Sequence, residues 1–334
     1  MNINELEKII KQIKKYELED DIENIDVWLK ELNKKQIKNF ISLEVYPLKP
    51  RENLKSLLVN AKALNGDYYL EDIKLINDAK SKRIADCLVY VAGDRYSLKS
   101  KHHREDMILI SNAKNDTIAD CLCDVAWGKV SLKSEHHRKD MELISKTKSD
   151  TIAKCLCDVA WNKNSLKSEH HREDMELILN AKSNTKAECL RDVARSEDSL
   201  KSEHHREDMK LVANAKSDAI AQCLKYVSCD KNSLQSEHHR EDMKLISKAK
   251  SDKVAKSLKD AACNKLSLQS ESHREEMELI ENTIFNDIKM NQDDNVETNY
   301  VTFQEKIDAI YKNAVEYSDG SKTKKLDSSV FTLK

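Results

Sequence analysis

A repeat of 34 residues constrains this chain more than any other feature. The tetrapeptide Ser-Leu-(Lys/Gln)-Ser begins at six equally spaced positions, Ser97, Ser131, Ser165, Ser199, Ser233 and Ser267. Residues 63–96 lack this tetrapeptide but belong to the same repeat, because residues such as Asp72, Ala79 and Cys87 recur 34 positions later. The chain therefore contains six full repeats over residues 63–266 and a truncated seventh. This period predicts a stack of one supersecondary unit in which neighbouring copies share a continuous core.

The second half of each repeat has an α-helical apolar period. In the repeat over residues 131–164, the second of two apolar series is Ile152, Ala153, Leu156, Val159 and Ala160. Spacings of i, i+1, i+4, i+7 and i+8 place these side chains on one stripe of a helix, which a strand cannot do. Ser or Asn precedes this stripe in every repeat, as Ser149 does here, and can accept from the free amides of the first helical turn. We therefore predict a helix B that begins after Ser149.

The first half of the repeat predicts a second helix, helix A, from about Ser134 to Thr147, and a loop over 162–167 returns to the next repeat. The lysine before each N-cap, such as Lys114, is expected to end helix A, because a cation is favourable at a helix C-terminus. One such pair cannot bury its apolar stripes alone. We predict an all-α fold, a right-handed α-solenoid of tandem 34-residue antiparallel helix pairs with helical caps.

The two ends of the chain differ from the repeats. Amphipathic segments over 4–18 and 21–43 predict two helices that cover the first repeat, and Leu279 and Ile280 continue into one longer apolar helix after the last. The expected organisation is a helical cap over 1–62, six repeats over 63–266, a truncated repeat and cap over 267–290, and a polar linker, short helix and mobile tail over 291–334.

Composition narrows the function classes. The chain has only 4 Gly and 2 Pro, and its net charge is −2, so it lacks glycine-rich phosphate loops and any general attraction to phosphate backbones or anionic membranes. The start of the chain is charged, so we expect no signal peptide. No apolar run approaches ~20 residues, so we expect no membrane span. Nine cysteines in helical segments predict reduced thiols, and we expect a cytoplasmic location.

All eleven histidines belong to one repeated motif, His-His-Arg, whose last copy begins with Ser272. The second histidine lies on the stripe of Met107 and Ile110 in its repeat, so it is expected to be buried. In the first repeat Tyr68 and Tyr69 occupy the two histidine positions. We therefore predict a structural ladder, bonded between repeats, of the second histidines His103, His137, His171, His205, His239 and His273.

The alternative for the histidines is a metal site. Adjacent helical residues diverge by about 100°, so a His-His pair cannot chelate one ion from a single helix. A site would need His102 with Asp106, or ligands from successive repeats. The Cys-x-Cys pairs, such as Cys121 with Cys123, diverge in the same way. We predict no metal and no cofactor.

Positions whose residue type differs between repeats are candidates for recognising a partner. Positions 120, 123 and 127 of helix B, and their equivalents, have spacings of i, i+3 and i+7 and predict one exposed stripe. We call these positions the variable stripe. An exposed Trp beside basic residues suggests a binding groove, and the candidate partner-binding residues are Trp127, Trp161, Arg191, Arg195, Lys225 and Lys259. Neutral drift on a solvent face is the competing explanation.

Three function classes compete. A long rigid array with balanced charge favours a non-catalytic scaffold that binds a protein or peptide along the helix-B surface. The basic residues of the later repeats favour the alternative of an RNA- or DNA-binding helical repeat protein. The small net charge of the chain argues against nucleic-acid binding. An enzyme is not expected, because no catalytic cluster stands outside the repeats.

Overall fold

The computed structural model describes residues 2–43 and 52–290, and all regular elements in these ranges are helical. The chain divides into two compact units, Met1–Arg195 and Ser196–Lys334. The α-helices of the first unit are α1 Ile3–Lys15, α2 Ile25–Glu31, α3 Lys34–Ile41, α4 Glu52–Val59, α5 Tyr69–Asn77, α6 Lys82–Gly93, α7 His103–Ser111, α8 Asp116–Trp127, α9 His137–Lys146, α10 Asp150–Trp161, α11 His171–Leu179 and α12 Asn184–Arg195.

The second unit continues the alternation of helix A and helix B. Its α-helices are α13 Glu197–Lys201, α14 His205–Ala213, α15 Asp218–Cys229, α16 Lys231–Leu234, α17 His239–Lys248, α18 Asp252–Ala262, α19 Lys265–Leu268 and α20 His273–Met290. The short helices α13, α16 and α19 replace the 3-10 turns, such as Ser97–Lys99, that precede helix A in the first unit.

The predicted fold class is confirmed: the chain is an all-α helical repeat solenoid of tandem helix pairs. In the first unit each helix B packs on the next one, α6 on α8, α8 on α10 and α10 on α12, and in the second unit α15 packs on α18. Neighbouring helices A, such as α7 and α9, share a smaller contact. The core between the rows is apolar, with Met107, Ile110 and Leu122 fully buried. The hand of the array stays a prediction.

Helix A begins three residues later than predicted. In the repeat from Ser131, residues Ser131–Lys133 form a 3-10 turn and α9 starts at His137 rather than at Ser134. Ser134 lies outside the helix, and its hydroxyl accepts from the backbone N–H of His136 at 3.1 Å. The amphipathic period continues through the turn, which is why the sequence pattern placed the start too early.

The predicted N-caps of helix B are confirmed and also link neighbouring repeats. The side chain of Asn115 accepts from the backbone N–H of Ile118 at 2.9 Å. Its amide nitrogen also donates to the carboxylate of Asp150, the first residue of α10 in the next repeat, at 2.9 Å. Ser217 and Asp252 form the same link in the second unit, at 2.6 Å.

The lysine before each cap was expected to end its own helix A, and for Lys114 this is wrong. Helix α7 ends at Ser111, and the ammonium group of Lys114 donates to the backbone oxygens of Lys146 and Thr147 at 3.1 and 3.0 Å. These carbonyls lie at the end of α9, the helix A of the next repeat. The long side chain therefore bridges to the neighbour instead of folding back.

The N-terminal cap contains more helices than predicted. Residues 21–43 form two helices, α2 and α3, because Leu32 is extended and Asn33 starts a new helix. Asn33 and Gln36 form a capping box, a pattern that marks a helix start. Helix α4 was not predicted. The cap closes on the first repeat through Asn39, whose side chain donates to the backbone oxygen of Leu64 at 2.9 Å.

The longer C-terminal helix is confirmed, since α20 runs without a break over 18 residues. The linker, short helix and tail predicted over 291–334 lie outside the described residues. Within the described ranges, no helix has both the length and the apolar character that crossing a membrane requires. All nine cysteines are free thiols.

Candidate functional site

The second histidine of each motif lies at the start of helix A, inside the core. The exposed fraction is 2% for His103 and 0% for His137, His171, His205, His239 and His273. Each ring faces the turn that precedes its own helix, and its Nδ1 lies 2.7–3.2 Å from a serine hydroxyl six residues earlier, as with Ser131 and His137. The turn and helix A are thus joined through a buried polar contact.

The other ring nitrogen reaches the preceding repeat. Nε2 of His137 lies 2.9 Å from Oδ2 of Asp106, which is itself 1% exposed. Four further pairs repeat this contact at 2.9–3.0 Å: His103 with Asp72, His171 with Asp140, His239 with Asp208, and His273 with Asp242. A buried imidazole with both nitrogens bonded has its polar groups satisfied, which burial requires.

The first histidine and the arginine of the motif add two more contacts between consecutive repeats. The ring of His102 lies against the ring of His137, with centroids 5.2 Å apart, and His136 packs in the same way on His171 at 4.8 Å. Arg138 pairs with Glu105 of the preceding repeat. We call this set, the imidazole contact, the His–Asp bond and the Arg–Glu pair, the histidine junction.

Burial at the junction changes the titration of the first histidine. Desolvation, followed by the neighbouring ring of His137, lowers the pKa of His102. Desolvation and then His171 lower the pKa of His136 in the same way. Both rings therefore favour the neutral form, since part of their hydration is replaced by another imidazole.

The order Ser–His–Asp is also that of a nucleophile, a base and an orienting acid. A nucleophile must be reached by its substrate, and Ser131, His137 and Asp106 are each at most 1% exposed. The arrangement therefore fits a structural contact between repeats better than a reaction centre. In the described part of the chain, no group of three or more His, Cys, Asp or Glu side chains is placed to hold a metal ion.

One part of the variable stripe is not exposed. Cys123 and Cys157, predicted on the solvent side, are 6% and 8% exposed, and their thiols lie 3.6 Å from the backbone oxygens of Cys87 and Cys121 on the preceding helix B. A small thiol at this position lets the two helices approach closely, so the side chain is covered by its neighbour. Burial also raises the pKa of the Cys155 thiol to about 12, which keeps it protonated and unreactive.

In the first unit the exposed residues of the stripe include Trp127 and Trp161, each with 42% of its surface accessible. Their rings meet edge to face with centroids 5.5 Å apart. Nε1 of Trp161 donates to the backbone oxygen of Asp124 at 2.6 Å. Gly128 makes room for this ring, because a Cβ at that position would lie 3.0 Å from the indole nitrogen.

The candidate arginines are already engaged. Arg191 and Arg195 both reach Asp158 on the preceding helix B, at 3.5 and 3.4 Å, and Arg191 also pairs with Asp192 at 2.8 Å. A groove beside these residues is lined by Asp124, Cys157, Asp158, Trp161, Asn162, Lys163 and Arg195. The groove therefore presents mixed charge rather than a basic surface.

In the second unit the candidate lysines gather around an aromatic ring that the sequence analysis did not select. The ammonium groups of Lys225 and Lys259 lie 3.9 and 5.5 Å from the ring centroid of Tyr226, which is 56% exposed. Lys259 also pairs with Asp260. Tyr226 occupies the helix-B position of Asp124 and Asp158, one residue after the middle of the variable stripe. The sequence could have identified this position, because its residue type also differs between repeats.

Together the fold and these two regions define the class of the protein: a helical repeat protein with a recurring histidine junction and a variable helix-B edge. A comparison with protein-family models finds no match, and comparisons with curated proteins and with solved structures find none either.

Proposed function

We propose that this chain is a non-catalytic scaffold that binds a protein or peptide along the helix-B surface. The observation that carries the proposal is the pair of half-exposed indoles of Trp127 and Trp161, set on two consecutive helices B. Aromatic side chains held in place lose little entropy on binding and are the commonest anchors of protein interfaces. The free, mostly buried thiols support a cytoplasmic location, where thiols stay reduced.

The bonds between neighbouring repeats inside each unit support the same function. Within a unit, His–Asp bonds and N-cap links such as those of His137 and Asn115 join one repeat to the next, so the helix-B edge of that unit needs little ordering at binding. The candidate contacts are Trp127, Trp161, Arg191, Arg195, Lys225 and Lys259. Of these, the two tryptophans offer apolar surface without a charge partner, so they should contribute most.

A displayed library of random peptides, selected against the immobilised full chain, tests the proposal. Selected peptides should bind the double variant Trp127→Ala/Trp161→Ala at least about thirtyfold more weakly, equivalent to ~2 kcal/mol for a buried aromatic anchor. The matched control is Tyr90→Ala, which removes another exposed aromatic of the first unit, 70% accessible on α6. Failure to select any peptide, or equal binding by the double variant, would contradict the proposal.

Nucleic-acid binding remains the second candidate, because Lys225 and Lys259 flank the exposed ring of Tyr226. An aromatic face beside cations can stack a base while the cations attract phosphate. Single-stranded RNA should then bind at low salt, with affinity that falls steeply as salt rises. Tyr226→Ala should weaken the binding, whereas Tyr90→Ala should leave it unchanged. No binding at low salt removes this candidate.

A further inference from the structure

Asp124 stands out among the charged side chains of the helix-B edge. Asp120, one turn earlier, pairs with Arg83 at 2.6 Å, and Asp158, one repeat later, receives two arginines. Within the described residues no cationic side chain pairs with Asp124, whose carboxylate accepts only a long contact of 3.4 Å from the indole nitrogen of Trp127. Burial raises the pKa of the Asp124 carboxyl. Asp124 is an exposed residue whose carboxyl is partly desolvated. A compensating charge, that of Arg83, lowers its pKa but is held in an ion pair by Asp120.

Both tryptophans contact Asp124. Trp127 touches its side chain and Trp161 bonds to its backbone oxygen, while the two rings stand at 67° to each other. We call Asp124, Trp127 and Trp161 the tryptophan corner. Two π faces and one carboxylate attract the same kind of group, a cation attached to an apolar body.

We propose that the tryptophan corner binds a basic side chain, lysine or arginine, presented by the protein or peptide that the scaffold recognises. The inference rests on the proposed function and adds the chemistry of the partner. A cation placed there would pair with Asp124, and its methylene groups would cover indole surface that is now accessible.

Other ligand classes fit the corner less well. An acidic peptide or a nucleic-acid phosphate would meet the unpaired carboxylate of Asp124 and be repelled. A purely apolar side chain would cover the indoles but leave Asp124 desolvated and unpaired, which is unfavourable. Lysine and arginine side chains can both cover the indole rings with their methylene groups and pair with the carboxylate of Asp124.

Short peptides with one variable residue provide a direct test that needs no natural partner. The probes are acetylated and amidated Gly-Gly-X-Gly-Gly, where X is lysine, arginine, norleucine or glutamate. The full chain is labelled with 15N at the tryptophan indoles, which gives three resolved signals, one for each of its 3 tryptophans. Trp28 is 7% exposed and its indole bonds to the backbone oxygen of Val59 at 3.0 Å, so its signal is an internal reference.

The lysine and arginine peptides should shift the Trp127 and Trp161 signals in a saturable manner and leave the Trp28 signal in place. Asp124→Asn should raise the apparent Kd for these peptides about fivefold, the fold-change expected when one charge contact at a partly exposed site is lost. Asp260→Asn, at the same repeat position but paired with Lys259, should leave the Kd unchanged. Unchanged chemical shifts of Trp28 in both variants establish that the fold is retained.

Three results would overturn the inference: no shift of either signal with the basic peptides, equal shifts with norleucine, or shifts with a single-stranded oligonucleotide in place of the basic peptides. Each can be told apart from failure of the proposed function. Peptides selected by display that need Trp127 and Trp161 but carry no basic residue would retain the scaffold and refute the basic ligand. The absence of any selected peptide would refute the scaffold itself.

Discussion

The start of helix A and the end of helix B lie in the same repeats but follow opposite rules. At the start of helix A, the second histidine and its aspartate are nearly invariant and almost inaccessible, as with His137 and Asp106. At the end of helix B, the equivalent positions hold Trp127, Arg195 and Cys263, and the first two are exposed. Buried residues whose polar atoms need a partner in the neighbouring repeat are constrained by it, whereas exposed residues are free to change.

The two ends of the array show that the constraint comes from the neighbour. The first repeat keeps the carboxylates of Glu71 and Asp72, which serve the following repeat, as Arg104 and His103 contact them. It lacks the residues that would bond to a preceding repeat, since Ala63, Tyr69 and Leu70 occupy the positions of Ser, His and Arg in later repeats.

The last repeat has the reverse composition. His273 and Arg274 still reach back to Asp242 and Glu241. The forward-facing aspartate is replaced by Glu276, whose carboxylate turns inward to accept from the hydroxyl of Ser267 at 2.6 Å. Each end therefore keeps only the half of the His–Asp bond for which a partner repeat exists.

The largest effect should follow from breaking one histidine junction. Asp106→Ala leaves Nε2 of His137 buried without its partner, and we expect a loss of about 3 kcal/mol or more in the free energy of unfolding. Urea unfolding followed by circular dichroism measures it. Glu105→Ala is the matched control, because it removes the exposed pair with Arg138 and a contact of 4.0 Å with His102 and should cost about 1 kcal/mol or less. Equal losses in the two variants would contradict a special role for the buried pair.

Acid should weaken the same region by a smaller amount. The folded-state pKa of His102 and His136 lies below the ordinary value, so below pH ~6.5 the unfolded chain binds more protons than the folded chain. Stability should therefore fall as pH drops from about 7 toward the folded pKa, with no contribution from these groups at higher pH. Urea midpoints at pH 7.5 and 5.5 measure this fall.

The variant His102→Phe/His136→Phe keeps an aromatic ring at both positions and removes the proton site. Its midpoint should change less between the two pH values than that of the natural chain. A change of the same size would assign the acid sensitivity to other groups.

A helix-B cap should contribute less than a junction. Ser149→Ala removes the acceptor for the backbone N–H of Ile152 and the bond to Asn184 of the next repeat, with an expected loss of about 1 kcal/mol. Ser149→Asn should be nearly neutral, because Asn115 already performs the same capping in the preceding repeat. Thermal melts of the two variants, compared at one protein concentration, distinguish these outcomes.

The smallest effect is expected on the variable stripe. Lys154 is exposed on α10, and Gln222 occupies the equivalent position of α15. Lys154→Gln should therefore change the free energy of unfolding by no more than about 0.5 kcal/mol. A larger loss, measured by urea unfolding, would show that the helix-B edge carries structural contacts of its own and would weaken the contrast with helix A.

Much of the fold could be predicted because it depends on local periodicity. The spacing of Ile152, Leu156 and Val159 is sufficient to define helix B, and Ser149 is sufficient to place its start. The start of helix A at His137 could not be placed in this way, since the apolar period runs through the 3-10 turn before it. The break between α2 and α3 had a signal in the capping box of Asn33, which an amphipathic pattern alone does not reveal.

The candidate site was predicted only in part, because it depends on which residues approach from the neighbouring repeat. The exposure of Trp127 and Trp161 followed from helix geometry, but the burial of Cys123 did not, since the covering surface belongs to the preceding helix B. Asp124 was missed for the same reason. Its importance lies in having no cationic ion-pair partner in the part of the chain that the structure describes, which is visible only when Arg83 and Arg191 are seen to bind other carboxylates.

The sequence by itself determined the repeat, the two helices of each repeat and the burial of the second histidine, because each follows from the positions of apolar side chains along one helix. The tertiary structure alone decided the partners: Asp106 for His137, the next repeat's carbonyls for Lys114, and for Asp124 an indole rather than a cation of the described residues. These pairs join residues about one repeat apart, at distances of a few ångströms. No local rule specifies which side chains meet there, since that depends on how one helix pair packs on the next.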